Sequence, residues 1–341
     1  MVPMFALAPI MLVVAVTVVV ILTVRLLRRP DSPLLPPGMA RQRVDDGILA
    51  PGDAASQAAL RTFRLRNGWW ATLVLVAFAL AFALAARAGA NPRSLAVLPG
   101  AITIVAVAAI AVWPHAGLRR ANVTTAGARS ADLRPRTVGG FGPAWGFALP
   151  SAGAGVLVAF LVYAGIVSGA RADQTDNRAI TVVFSDNSAT AGPFPGWYYG
   201  VPLLVVTAVL VATVAITLRR IAGYPAPTSP GLRGADLAIR RTSTRLVMKL
   251  SSTGLFGYAG CVLVAAGIAT WSAATLRWGV DDVWHTEVNR AAWWTGQVQM
   301  WTGAGFVLLA IALGASLLID AWTTPQVSAS APVPTGGAVL R

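Results

Sequence analysis

The stretch from Leu255 to Ala274 reads LFGYAGCVLVAAGIATWSAA and contains no Asp, Glu, Lys, Arg or His. About 20 mostly apolar residues are enough for an α-helix to cross the hydrocarbon core of a bilayer. Seven stretches of the chain share this composition: Phe5–Val24, Trp69–Ala86, Leu95–Val112, Phe147–Val167, Tyr199–Leu218, Leu255–Ala274 and Met300–Ile319. The sequence therefore predicts an all-α fold, a polytopic transmembrane helix bundle of seven spans.

The composition of the whole chain agrees with a membrane protein. Of its 341 residues, 56% are hydrophobic and 12% are charged, whereas soluble domains carry about 25% charged residues. Disordered chains are poor in apolar residues, so this composition also excludes a disordered protein. The single cysteine excludes an intramolecular disulfide and a cysteine-based metal cluster.

The distribution of basic residues predicts the orientation of the bundle. If the N-terminus is outside and the C-terminus is cytoplasmic, 21 of the 27 Lys and Arg residues fall on the cytoplasmic side. This is the asymmetry that the positive-inside rule describes. The preference for Arg over Lys, with abundant Ala, Val and Gly, is typical of a GC-rich bacterial genome. We therefore expect a multi-pass protein of the bacterial inner membrane.

Four segments follow from the spans. Residues 1–24 form a first transmembrane anchor helix, and residues 25–68 form a basic cytoplasmic loop. Residues 69–320 form a six-helix transmembrane bundle of three hairpins, and residues 321–341 form a disordered cytoplasmic tail. Within the basic loop, Ala54–Arg66 is predicted to be a helix that lies on the inner leaflet.

A second cytoplasmic helix carries the candidate binding residues. Asp236 is placed to cap it, and Arg241, Arg245 and Lys249 recur every four residues. A cationic stripe of this kind suits the anionic head groups of the inner leaflet or an acidic partner protein. We assign these three residues to lipid or partner binding, and we expect no role in nucleic-acid binding.

Small residues predict where the helices pack. Gly257, Cys261, Ala265 and Ala269 are spaced by four on the sixth span. Stripes of small residues let the backbones of transmembrane helices approach closely. Cys261 is accordingly interpreted as a packing residue.

Several chemistries are excluded by what the sequence lacks. No span contains an ionisable residue, so a proton-coupled pump is not expected. The chain has no Walker A motif, no GxGxxG fingerprint and no HExxH motif. We therefore predict a protein that is not an enzyme and that needs no cofactor.

One outer segment is richer in polar chemistry than the rest. On a helix, Asp281 and Asp282 would each lie about one turn from His285, and these residues could begin a divalent-metal site. Its further ligands would be Glu287 or the acids of the other outer loop, Asp173, Asp176 and Asp186. The alternative is an amphipathic outer helix whose tryptophans sit in the head-group layer. In the other outer loop, Ile180–Phe184 is prone to form a strand that caps the bundle.

Together these patterns favour a non-enzymatic membrane subunit or scaffold that engages a partner through its basic cytoplasmic loops. The alternative is a transporter or permease for an uncharged or apolar solute, which would need no buried charge. An enzyme comes third, because only the outer acid and histidine group supports it.

Overall fold

The computed structural model describes residues 51–87, 93–112, 141, 144–171, 174–185, 187–225, 227, 232–280 and 283–323. Within these ranges the chain forms six helices and five short strands. The predicted anchor helix over residues 1–24 lies outside the described residues.

The protein is mostly helical. Its helices are α1 (Pro51–Arg87), α2 (Arg93–Val112), α3 (Ala144–Val167), α4 (Trp197–Gly223), α5 (Arg233–Ala273) and α6 (Arg290–Trp322). Each overlaps one of the apolar stretches from the second to the seventh, because a helix satisfies the backbone hydrogen bonds of a long apolar stretch internally. Four helices, α3 to α6, are long and apolar enough to cross a membrane, and α2 contains a shorter apolar helix, Val97–Val112.

Successive helices alternate in direction. Trp322 at the end of α6 packs against Gly68 in the middle of α1, and Gly314, earlier in α6, lies beside Leu75, later in α1. Trp197 at the start of α4 packs against Gly165 near the end of α3. We call the end where α1, α3 and α5 begin the basic end, because α4 and α5 carry their arginines there. The opposite end is called the strand end.

Two helices are longer than the sequence predicts. The expected surface helix Ala54–Arg66 and the second span form one continuous helix, α1, so residues 51–68 are not a loop. The helix after Asp236 likewise continues into the sixth span as α5. The two extensions pack together through a buried apolar cluster: Ala59, Leu60, Phe63, Leu232, Ala235, Ala238 and Ile239. This cluster keeps both extensions helical beyond the predicted spans. Ala321 and Trp322, which the sequence assigns to the tail, belong to α6; residues 324–341 lie outside the described residues.

Helix α5 is the centre of the bundle. In an apolar segment of 18 residues within α5, 67% of the residues are buried. The corresponding segments of α3, α4 and α6 are 28%, 33% and 28% buried. Helix α5 contacts each of the other five helices. The other helices expose large apolar side chains, such as Leu73 of α1, Val205 of α4 and Leu308 of α6. These outer apolar faces suit contact with lipid.

Helices α5 and α6 touch backbone to backbone at two glycine pairs. A Cβ atom on Gly303 would lie 2.7 Å from the carbonyl oxygen of Gly260, and a Cβ atom on Gly296 would lie 2.8 Å from that of Gly267. The two glycines on α5 are seven residues apart, and so are the two glycines on α6. The predicted stripe that starts at Gly257 lies beside this contact. Small residues therefore do mediate the packing, but glycines spaced by seven make the closest approach.

A second helix contact lies beside a proline in α2. Pro99 lies inside α2 and has no N–H to donate. The hydroxyl of Tyr258 on α5 accepts a hydrogen bond from the N–H of Gly100 and donates one to the carbonyl of Val97, at 3.0 Å. Tyr258 thereby ties α2 to the central helix.

The strands correct the prediction of an all-α fold. At the strand end, β1 (Gly169–Arg171), β2 (Gln174–Val183) and β3 (Ser188–Ala191) form an antiparallel sheet in the order β1-β2-β3. The predicted strand in this loop is confirmed. In the other outer segment, β4 (Thr275–Val280) and β5 (Val283–Val288) form a hairpin where a helix was expected. β-Branched and aromatic residues are frequent on both sides of two aspartates there, which is typical of strands joined by a turn.

The three-stranded sheet caps the bundle. Ile180, Val182 and Phe184 pack with Phe194 against the small residues of α5 near its C-terminal end. Ala266, Ala269 and Ala273 supply that surface. The cap therefore buries apolar side chains of the outer loop on the same helix that organises the rest of the molecule.

The glycine contact yields a direct test. We expect Gly303→Ala to lower the free energy of unfolding by about 1–3 kcal/mol, because the new methyl group would force α5 and α6 apart. Gly305→Ala is the matched control on the same helix, since a Cβ atom there meets nothing within 4 Å. Thermal unfolding in detergent micelles measures both variants. Equal melting temperatures for the two would contradict the importance of the glycine pairs.

Candidate functional site

The basic end is organised around Arg240, which is 1% exposed. Its Nε donates a hydrogen bond to Oδ2 of Asp236 at 2.9 Å, and its guanidinium lies 5.9 Å from the ring centroid of Phe141. Its two terminal nitrogens donate to four backbone carbonyls: Ile221 at 2.7 Å, Ala222 at 3.2 Å, Tyr224 at 2.9 Å and Pro225 at 3.3 Å. We call this arrangement the Arg240 cap.

The Arg240 cap closes the C-terminal end of α4. The last carbonyls of a helix have no partner within the helix, and they carry a partial negative charge that favours a cation. The planar guanidinium presents several donors at once, which suits four carbonyls and a carboxylate. The cap therefore joins the end of α4 to the start of α5 and fixes the position of α5, which carries Arg241 and Arg245.

Asp236 has a different role from the one predicted. The N-cap residue of α5 is Leu232, which makes no side-chain cap hydrogen bond, and Asp236 lies inside the first turn. From there its carboxylate pairs with Arg240, four residues later. The prediction that Asp236 caps the helix is wrong, because α5 begins several residues earlier than expected.

The three predicted binding residues lie on α5 but differ in exposure. Arg241 and Arg245 are exposed, whereas Lys249 is half-buried. Nζ of Lys249 lies 2.8 Å from Oδ2 of Asp320 on α6 and donates to the carbonyl of Ser316 at 3.2 Å. Lys249 therefore joins α5 to α6, whereas the two arginines are exposed in the described part of the chain.

A groove runs beside this pair, between α3, α5 and α6. Its volume is about 360 Å³, and Arg245, Lys249 and Asp320 supply charge to its walls. Phe147 of α3 and Met248 of α5 supply apolar surface. The groove thus places a cation beside an apolar surface, which suits an amphipathic partner.

The exposed charge of the basic end is positive wherever side chains are described. Asp236 and Asp320 are each engaged by a basic residue. The exposed basic side chains are Arg61, Arg219, Arg220, Arg241 and Arg245. An anionic surface would therefore find several cations and no unpaired carboxylate among these described groups.

The predicted metal group lies at the strand end in a different geometry. His285 and Glu287 lie on β5, two residues apart and therefore on one face of the strand. His285 is exposed and stacks on Trp278, its partner on β4, with ring centroids 5.7 Å apart. The helical spacing on which the metal prediction rested is therefore wrong. Asp281 and Asp282 lie outside the described residues, and the described residues contain no group of three or more His, Cys, Asp and Glu that could hold a metal.

Comparisons with known proteins supply no functional assignment: no family model, curated protein or solved structure matches the chain. Any inference about the function of the site therefore depends on the geometry of the site alone.

Sequence patterns missed Arg240, although it directly precedes Arg241. The spacing of four between Asp236 and Arg240 was the available signal, since it is typical of an ion pair on a helix. The carbonyls that Arg240 binds belong to the end of another helix, so only the folded chain reveals them.

The Arg240 cap gives the second test. We expect Arg240→Met to lower the free energy of unfolding by about 3–5 kcal/mol, because it leaves a buried carboxylate and several buried carbonyls without a donor. Arg241→Met is the control, since it removes an exposed charge from the same helix and should change stability by less than about 0.5 kcal/mol. Thermal unfolding in detergent micelles distinguishes them. A small effect of Arg240→Met would show that the cap does not hold α4 and α5 together.

Proposed function

We propose that the protein is a non-enzymatic membrane subunit or scaffold that engages a partner protein at its basic end. We further propose seven spans in a bacterial inner membrane, with the N-terminus outside and the basic end and C-terminus in the cytoplasm. Anionic lipids of the inner leaflet would surround the same end.

The observation that carries this proposal is the pair of exposed arginines, Arg241 and Arg245, on a helix that the Arg240 cap holds in place. A rigid support keeps the two charges at a fixed spacing, which lowers the conformational entropy lost on binding. The groove beside Arg245 adds an apolar surface next to the charge. An acidic amphipathic segment of a partner would complement both features.

Crosslinking tests the partner directly. We expect a second protein to co-purify in a fixed ratio after crosslinking in native membranes, and to be lost from an Arg241→Glu, Arg245→Glu double variant because the substitutions reverse the charge at the contact. The matched control is Arg277→Glu, Arg290→Glu. It reverses two exposed arginines at the strand end and should leave the partner bound.

Two outcomes would contradict the proposal. One is a protein recovered alone from crosslinked membranes, and the other is equal loss of the partner in both double variants. Solute movement by the purified protein alone in liposomes would favour the transporter alternative instead.

The orientation has its own test. In a Cys261→Ala background, we expect Arg277→Cys to react with a membrane-impermeant maleimide in intact spheroplasts, because the strand end is proposed to face outward. Arg241→Cys should react only after permeabilisation. The reverse labelling pattern would overturn the proposed topology.

A further inference from the structure

A groove separate from the candidate partner site runs between α1 and the end of α2. It has a volume of about 510 Å³ and is lined mainly by apolar side chains. Leu73 and Val76 of α1 face Ala109 and Ile110 of α2 across it. We call it the α1–α2 groove. None of the residues assigned to partner binding lines it.

One end of the groove holds two buried polar atoms that have no partner among the described residues. Asn67 is 8% exposed and lines the groove, as does Trp70. Nδ2 of Asn67 and Nε1 of Trp70 are buried and have no hydrogen-bond partner among the residues that the structure describes. Both atoms are donors. Buried donors normally have a hydrogen-bond acceptor, so this end of the groove favours a ligand that carries acceptor oxygens.

The same end carries a positive charge. Arg66 lines the groove beside Asn67, and its guanidinium lies 5.8 Å from the ring centroid of Phe63. Burial lowers the pKa of Arg66, yet an arginine stays protonated at any physiological pH. The described lining includes no acidic residue. A half-buried cation in this setting favours an anionic group.

The apolar part of the groove has the length of one lipid leaflet. From Asn67 to Val76, helix α1 rises by about 13 Å, and half of the hydrocarbon core is about 15 Å thick. The polar end lies toward the basic end of the bundle, where the head groups of the adjacent leaflet would be. Polar and apolar surfaces therefore follow each other along α1 in the order found in a phospholipid.

We propose that the α1–α2 groove binds one phospholipid molecule, with its phosphodiester and ester oxygens at Arg66, Asn67 and Trp70 and an acyl chain along Leu73 and Val76. A free phosphate ion would leave the apolar walls empty. An apolar helix would cover those walls but would bring no free acceptor, because its carbonyls are bonded internally. A phospholipid supplies both parts.

Native mass spectrometry of the full chain in a non-ionic detergent tests the proposal, with phosphatidylglycerol as the probe. We expect an Arg66→Gln, Asn67→Leu double variant to bind phosphatidylglycerol at least tenfold more weakly, because it removes the charge and one donor. Arg61→Gln, an exposed residue of α1 outside the groove, should bind as the unmodified protein does. Equal binding by all three proteins would overturn the proposal.

Two ligand controls identify the part of the lipid that matters. Diacylglycerol has the acyl chains without the phosphate, and inorganic phosphate has the anion without the chains. We expect phosphatidylglycerol to raise the melting temperature more than either. Equal stabilisation by diacylglycerol would remove the role of the polar end, and equal stabilisation by phosphate would assign the site to a free anion.

Asn67→Leu alone separates a binding role from a structural one. In lipid-free protein it should leave the melting temperature unchanged or raise it, because it replaces an unpartnered polar group by an apolar one, while weakening phosphatidylglycerol binding. A photocrosslinking amino acid at Leu73 identifies the occupant in membranes. Attachment to lipid supports the proposal, and attachment to residues 1–50 of the same chain or to another protein overturns it.

Discussion

The contact between α5 and α6 is the constraint on which the rest of the structure depends. At the glycine pairs Gly260–Gly303 and Gly267–Gly296, each backbone fills the space that a side chain would need on the other. Between apolar helices in lipid there is little hydrophobic driving force, so close packing and weak Cα–H···O contacts supply the attraction. With α6 held this closely, α5 becomes the inner helix around which the others pack. The charged groups of α5 lie in its N-terminal half.

The burial of Arg240 follows from that central position. An unpaired charge within a protein core is strongly unfavourable, but this guanidinium faces a carboxylate and four carbonyls that would otherwise lack donors themselves. The Arg240 side chain on α5 therefore supplies hydrogen-bond donors to the carbonyls at the end of α4, and these carbonyls in turn stabilise its buried charge. The neighbouring Arg241 and Arg245 lie on the exposed face of the same helix because the α-helical period turns them away from the cap.

Sequence reasoning located the six described helices because long uncharged stretches carry a strong signal. It also found the strand around Ile180, where β-branched residues cluster. It missed the β4–β5 hairpin, since two six-residue runs also fit an amphipathic helix when Trp, His and Asp occur at helical spacing. The glycine pairs could not be singled out among 33 glycines. The α1–α2 groove depends on how two helices meet. Asn67 and Trp70 can be recognised as candidate ligand-binding residues only because no acceptor faces them among the described residues.

The Arg240 cap also bears on the order in which the chain assembles. Among the described residues, every hydrogen-bond partner of its guanidinium lies within 19 residues upstream in the sequence. Contacts between residues so near in sequence form early, because closing a short loop loses little entropy. The cap can therefore close while the ribosome is still synthesising α6, so that α4 and α5 enter the membrane as a joined pair. The glycines of α6 then meet a surface whose orientation is already fixed.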